Sequence, residues 1–262
     1  MREELSGLLR GAPDELQKWL DNPTSSRVRL TVLIIILGFG SYGLTVGLWR
    51  APEMGAYVAF KMPALIFITL ACNGLLNGLL GLLLGSGLGF KQSLLAQLMS
   101  FAIAAMILGA LAPVTFFMAL NAPSADSAGA MAAHANFLVT HTALIAFAGV
   151  MANVHLARML IATTPNARIA GMTMAAWIGG NAFMGAQFSW ILRPFFGTPT
   201  IEVSLLRANP MQGTFYETVW RSLRASTGDY ALTVLFFVGF ILLVLHIPLL
   251  KLLNKSKKQS HE

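Results

Sequence analysis

Long apolar runs separated by short polar breaks make up most of this chain. The runs cover about 30–49, 57–84, 93–120, 136–161, 169–192 and 230–250. Each is long enough for a helix crossing a hydrocarbon layer, which takes about 20 residues. The breaks carry turn chemistry: 121–133 is rich in Pro, Ser, Asp and Gly, and Pro165 marks a turn at 164–168. The pattern predicts an all-α fold, a polytopic transmembrane helical bundle of about six spans.

Two stretches do not fit a plain crossing. Residues 51–89 are longer than one span needs. Either one tilted span kinks at Pro63, or a crossing is joined to a re-entrant piece, and the pattern leaves both open. Gly74 and Gly78 there form a small-xxx-small pair suited to close helix packing. The second stretch is 187–229, which mixes aromatics, arginines, acids and three prolines between the fifth and sixth runs. Trp190 and Arg193 suit a membrane interface, and Pro194 ends the helix. Phe195, Phe196 and Gly197 are apolar enough to dip back into the bilayer edge. Residues 201–206 alternate weakly, as a short extended segment would, and 214–224 predicts an amphipathic helix. That helix places Phe215, Val219, Trp220 and Leu223 on one side and Glu217, Arg221 and Arg224 on the other. Glu217 and Arg221 are an i,i+4 pair in the favourable order. A loop of this length with so many aromatics is expected to be structured.

Ahead of the first run, 2–21 repeats Leu5, Leu8, Leu9, Ala12, Leu16, Trp19 and Leu20 on one helical face. Pro13, followed by two acids, suggests a fresh helix start, and Asn22-Pro23 ends the pattern. The segment is expected to lie on the membrane or dock on the protein's own loops or a partner. The chain therefore divides into an amphipathic N-terminal segment (1–29), a five-span bundle (30–192), an extramembrane loop with a short helix (193–229), a last span (230–250) and a basic tail (251–262).

Composition supports the bilayer as solvent: 56% of residues are hydrophobic, 11% are charged and the mean hydropathy is +0.67. Soluble domains carry about 25% charged residues. The net charge of +7 does not make a nucleic-acid face, because the positives sit at loop edges and the C-terminus. Six spans put both termini on one side with Arg27, Arg29, Lys91, Arg158, Arg168 and the C-terminal lysines. The other side has Arg50, Arg193, Arg207, Arg221 and Arg224. That asymmetry predicts cytoplasmic termini in an inner (cytoplasmic) membrane. The first apolar run is too long for a cleavable signal and is expected to remain as an anchor. The single cysteine, Cys72, excludes an internal disulfide.

Candidate chemistry is sparse. Lys61 is the only basic residue deep in an apolar run, and an intramembrane charge is a functional candidate by default. It could also snorkel to the interface, or reach Glu53 two turns earlier. His134, His141 and His155 share a face of the fourth span. At 1.5 Å per residue the outer two stand about 31 Å apart, so they cannot form one centre. His141 alone is deep, and a neutral histidine bonded across helices is expected there. Asn73, Asn77, Asn153, Asn181 and Gln187 are polar positions within spans that serve as interhelical glue or line a solute path. No metalloprotease, nucleophile-elbow or phosphate-loop motif occurs, and no paired carboxylates lie in the spans. No catalytic residue, metal or cofactor is expected.

Two resemblances follow from these residues. The polar amphipathic start and the Gly/Ala-rich bundle over 30–192 resemble the Yip1-like membrane superfamily, although the D-L-Y-G-P motif of its eukaryotic members is absent. The run from Gln187 through Trp190, Leu192, Arg193, Pro194 and Phe195 to Gly197 is similar to a Q-x-x-W-x-L-R-P-F-x-G signature of a bacterial multi-span family. There too an F-Y-E-like segment follows, here Phe215, Tyr216 and Glu217. Neither resemblance implies an activity. The expected function is a non-enzymatic membrane scaffold or accessory subunit, meeting lipid and a protein partner or a second copy. Its docking surface would include Trp190, Arg193, Pro194, Glu217, Trp220 and Arg221. The alternative is a small-solute or lipid transporter lined by Lys61 and the span asparagines.

Overall fold

A computed structural model describes residues 18–21, 24–230 and 232–233. Among them it is helical without strands. The helices are α1 (Ser25–Leu48), α2 (Pro52–Leu83), α3 (Phe90–Asn121), α4 (Ala130–Thr163), α5 (Ala167–Ile191) and α6 (Phe215–Thr227), followed by a 3₁₀ turn at Gly228–Tyr230. The expected sixth span at 230–250, the basic tail, and most of the N-terminal segment lie outside the described residues.

Local chemistry sets the helix boundaries. The Thr24 hydroxyl accepts from the Arg27 N–H at the start of α1, Asn166 caps α5 by accepting from Ile169, and Thr214 caps α6 by accepting from Glu217. Pro52 opens α2, where its missing N–H is harmless. At the start of α3 the Gln92 side chain accepts from the Gly89 N–H at 2.8 Å. The helix α2 runs unbroken through Pro63, so residues 57–83 lie on one continuous helix.

Four helices, α1 to α4, are long and apolar enough to cross a membrane. The fifth run, expected as a span, forms a 25-residue helix that falls short of them in apolarity. The reason is visible in its side chains. Thr173, Asn181, Gln187 and Ser189 interrupt it, and Asn181 and Gln187 make polar bonds to neighbouring elements.

The helix α1 packs most heavily on α3 and α2. In turn α5 lies on α2 and α4, and α3 contacts α4. Glycine permits the closest of these approaches. A Cβ on Gly43 would come to 2.6 Å from the Val58 carbonyl oxygen of α2, and one on Gly38 would collide with the Ala105 carbonyl oxygen of α3. Large apolar residues on the outer surface, such as Leu83, Phe117 and Val139, are 83%, 65% and 71% exposed. A soluble bundle would bury such side chains, whereas lipid solvates them. Cys72 is also on this exposed surface.

The two ends differ. At one end the loops 49–51, 122–129 and 192–214 meet. Here the Trp49 indole donates to the Pro123 carbonyl at 2.8 Å, and Arg50 donates to the Thr198 carbonyl at 3.0 Å. At the other end the short turns 84–89 and 164–166 come together beside Ile169. Trp19 and Leu20, at the end of the N-terminal segment, are 4% and 1% exposed and belong to the main core. That part of the segment docks on the protein itself. The Arg27 guanidinium lies 5.3 Å from the Trp19 ring.

Candidate functional site

Polar side chains within the bundle gather in two places. The first is an amide cluster toward the end of the bundle that carries the 84–89 turn. Asn73 and Asn77 lie one turn apart on α2, so their side chains share a face. Asn73 Nδ2 donates to Asn181 Oδ1 of α5 at 2.9 Å. Asn77 Nδ2 donates to Gln97 Oε1 of α3 at 2.7 Å and to Asn181 Oδ1 at 3.2 Å. Asn181 Nδ2 returns a bond to Gln97 Oε1 at 3.2 Å. The Trp177 indole donates to the Asn77 backbone carbonyl at 2.7 Å. Gly180 makes room for this junction, because a Cβ there would sit 2.7 Å from Asn73 Nδ2.

Sequence reading brought Asn73, Asn77 and Asn181 forward but overlooked Gln97. A lone glutamine in an apolar run has no signature until its partners on two other helices are known. The cluster is not fully satisfied. Asn73 Oδ1, Asn77 Oδ1, Ser93 Oγ, Thr69 Oγ1 and Thr173 Oγ1 are buried without a hydrogen-bond partner. Gln97 and Asn181 also line a cavity of about 260 Å³ between α3, α4 and α5. Ser100 and Asn153 add polar groups to its wall, and Phe101, Leu156 and Ile178 make the rest apolar. The Asn153 amide is spent within its own helix, donating to the Gly149 carbonyl at 2.8 Å.

The second cluster lies near the loop end. Lys61, 1% exposed, neither snorkels nor reaches Glu53. Its Nζ donates to the Pro194 carbonyl oxygen at 2.6 Å and sits 5.8 Å from the Phe195 ring. The segment after α5 therefore turns back over the bundle, and Phe195 and Phe196 pack against the core. The Arg193–Pro194 peptide is cis. Phe196 lies 5.8 Å from the His141 ring. His141 is fully buried, and its Nδ1 is hydrogen-bonded to the Tyr42 hydroxyl at 2.7 Å, while its Nε2 has no partner. The three α4 histidines are separate, as their spacing requires. His134 stacks on Trp49 at 6.0 Å, and His155 Nδ1 bonds the Met151 carbonyl at 2.8 Å. Among the described residues no group of three His, Cys, Asp or Glu side chains could hold a metal ion.

The loop beyond Pro194 is irregular, and 201–206, expected to be extended, forms no strand. Its backbone is tied instead by isolated bonds, such as Arg207 N–H to the Arg193 carbonyl at 3.3 Å. Arg50 pins it from α1's side, donating to the Thr198 carbonyl and, at 3.4 Å, to the Ile201 carbonyl. Gln187, a candidate for a solute path, instead accepts the Phe215 N–H at 3.2 Å and so anchors the start of α6. The Tyr216 hydroxyl donates to the Phe183 carbonyl, and the two rings stack at 4.7 Å.

Trp190 is the centre of this cap. The Arg193 guanidinium lies 3.2 Å from its ring centroid, the Arg207 guanidinium 5.0 Å, and its indole donates to the Gln212 carbonyl at 3.3 Å. On α6, Glu217 and Arg221 pair at 2.5 Å, both well exposed. Arg224 lies 5.7 Å from the Trp220 ring, and Val219 is 47% exposed. Comparison with protein-family models, with curated proteins and with solved structures finds no match for this chain.

Proposed function

We propose that the chain is a non-enzymatic, six-span protein of a bacterial inner membrane, with cytoplasmic termini, acting as a scaffold or accessory subunit. The observation that carries this reading is the clasped loop. Side chains from three sites, Lys61 on Pro194, Arg50 on Thr198 and Gln187 on Phe215, hold 193–214 against the bundle. A preformed surface loses little entropy on binding, which favours docking. On top of it α6 presents Val219, Trp220 and the Glu217–Arg221 pair. The occupant is a membrane-protein partner or a second copy of the chain. Purification from native membranes tests this: another protein or a second copy is retained, and Trp220→Ala with Val219→Ser releases it. Recovery of a lone monomer with an intact loop would overturn the reading.

A transporter for a small solute or lipid is the second reading, favoured by the amide-walled cavity. Its path would start from Gln97 and Asn181 and not from Lys61, which is sealed under Phe195. Ala152→Phe, which fills that cavity, would then abolish co-purification of a small molecule detected by mass spectrometry of extracts. An unchanged extract would remove this reading.

A further inference from the structure

Arg193 and Arg207 are two like charges drawn to one indole. Their guanidinium carbons lie 3.2 and 5.0 Å from the Trp190 ring centroid. Among the described residues neither forms an ion pair. Glu217, the acid on the helix that follows, is held by Arg221 at 2.5 Å. The cost of this arrangement is visible at Arg193, whose guanidinium is held below the usual arginine range by desolvation and then by repulsion from Arg207.

The pair also keeps donors in hand. Arg193 spends Nε on the Trp190 carbonyl at 3.2 Å. Arg207 spends one terminal nitrogen, on the Pro210 and Gln212 carbonyls at 2.7 and 2.6 Å. Those two bonds fix the Arg207 fork, yet its Nε–H is buried without a partner. A buried, charged donor left unpaired is costly. The donors left for a ligand are the two terminal nitrogens of Arg193 and the second terminal nitrogen of Arg207, which make no hydrogen bond among the described residues. Planar forks with spare donors suit an oxyanion of two or more oxygens.

Position selects the source of that oxyanion. Trp190 is one residue from the end of α5, and the interface is where an indole with a wet edge belongs. An anion at this level is within reach of a lipid headgroup. We propose that Trp190, Arg193 and Arg207 form a binding site for the phosphate of an anionic phospholipid in the leaflet facing the loop. The site stands whether or not a protein docks on α6.

Native mass spectrometry of the lone chain in neutral detergent tests it, with phosphatidylglycerol, phosphatidylcholine or inorganic phosphate added. The expected result is retained phosphatidylglycerol in preference to phosphatidylcholine, weakened about fivefold for each arginine removed in R193Q and R207Q. R193Q is the cleaner variant, because the Arg193 side chain makes a single 3.2 Å hydrogen bond and its loss leaves the Arg207 clasp intact. R224Q, on the exposed far end of α6, leaves retention unchanged. Equal retention of both lipids, or unaltered phosphatidylglycerol binding in R193Q and R207Q, would overturn the proposal. Displacement by millimolar inorganic phosphate, with no lipid preference, would also overturn it by assigning the site to a free anion.

Discussion

Lys61 Nζ and the Pro194 carbonyl oxygen meet at 2.6 Å across 133 positions of sequence. The charge in the first third of α2 is thereby the fastener of a loop that begins three helices later. Lys61→Met keeps the stem and removes the donor, leaving the carbonyl unpaired. The expected loss is about 1–3 kcal/mol of stability in detergent. Limited proteolysis should cut 198–213 faster than in the parent chain. Unchanged cleavage would mean that Arg50 and Gln187 hold the loop unaided.

Tyr42 and His141 form the buried hydroxyl–imidazole pair between α1 and α4. Tyr42→Phe should lower stability by about 1–2 kcal/mol, because it strands an imidazole nitrogen. Removing both groups in Tyr42→Phe with His141→Phe should recover most of that loss, since two apolar rings need no partner. Thermal unfolding of the single and double variants checks the sign.

The amide cluster should behave as one unit. Asn77→Leu deprives Gln97 and Asn181 of a shared donor. A double-mutant cycle with Gln97→Leu should show coupling of about 0.6–1.7 kcal/mol, the range for polar pairs between membrane helices. Strict additivity of the two changes would show that these amides act independently.

Gly43→Ala should be far more damaging than Gly149→Ala. The first would press a methyl group to 2.6 Å from the Val58 carbonyl, while the second meets nothing within 4 Å. Overpacking at such a site costs about 1–3 kcal/mol. Comparison of their melting temperatures checks this directly.

Orientation is testable with cysteines in a Cys72→Ser background. A cysteine at Asp126 and one at Arg168 lie at opposite ends of the bundle. An impermeant maleimide applied to intact cells should label position 126 and spare 168. The reverse pattern would invert the topology.

The helices were readable because hydropathy is local. The runs at 57–84 and 93–120 differ from Pro52–Leu83 and Phe90–Asn121 by a few residues at their ends. The helix continues there into the interface, where polar residues no longer interrupt a helix although they lower hydropathy. The cap at 187–229 was legible as a proline-broken segment followed by an amphipathic helix, and Phe215–Thr227 forms with the Glu217–Arg221 pair. Partners were not legible. Glu53 looked like the natural mate of Lys61 because it is nearby in sequence. The true acceptor is a main-chain carbonyl, and every residue has one. Likewise nothing near Tyr42 announces His141, 99 positions away. Polar contacts in a membrane bundle are set by which faces the helices turn to each other, and that is a property of the packed whole.

The Lys61 fastening has a consequence for synthesis. Its acceptor is made 133 residues after the lysine. At 5–20 residues per second, roughly 7–27 s separate the two. Throughout that interval α2 carries a charge with no mate, in or beside the bilayer. Settling the hairpin of α1 and α2 at its final depth before α5 and Pro194 arrive would bury the ammonium without this acceptor, which is costly. The order in which this bundle matures is written into one hydrogen bond.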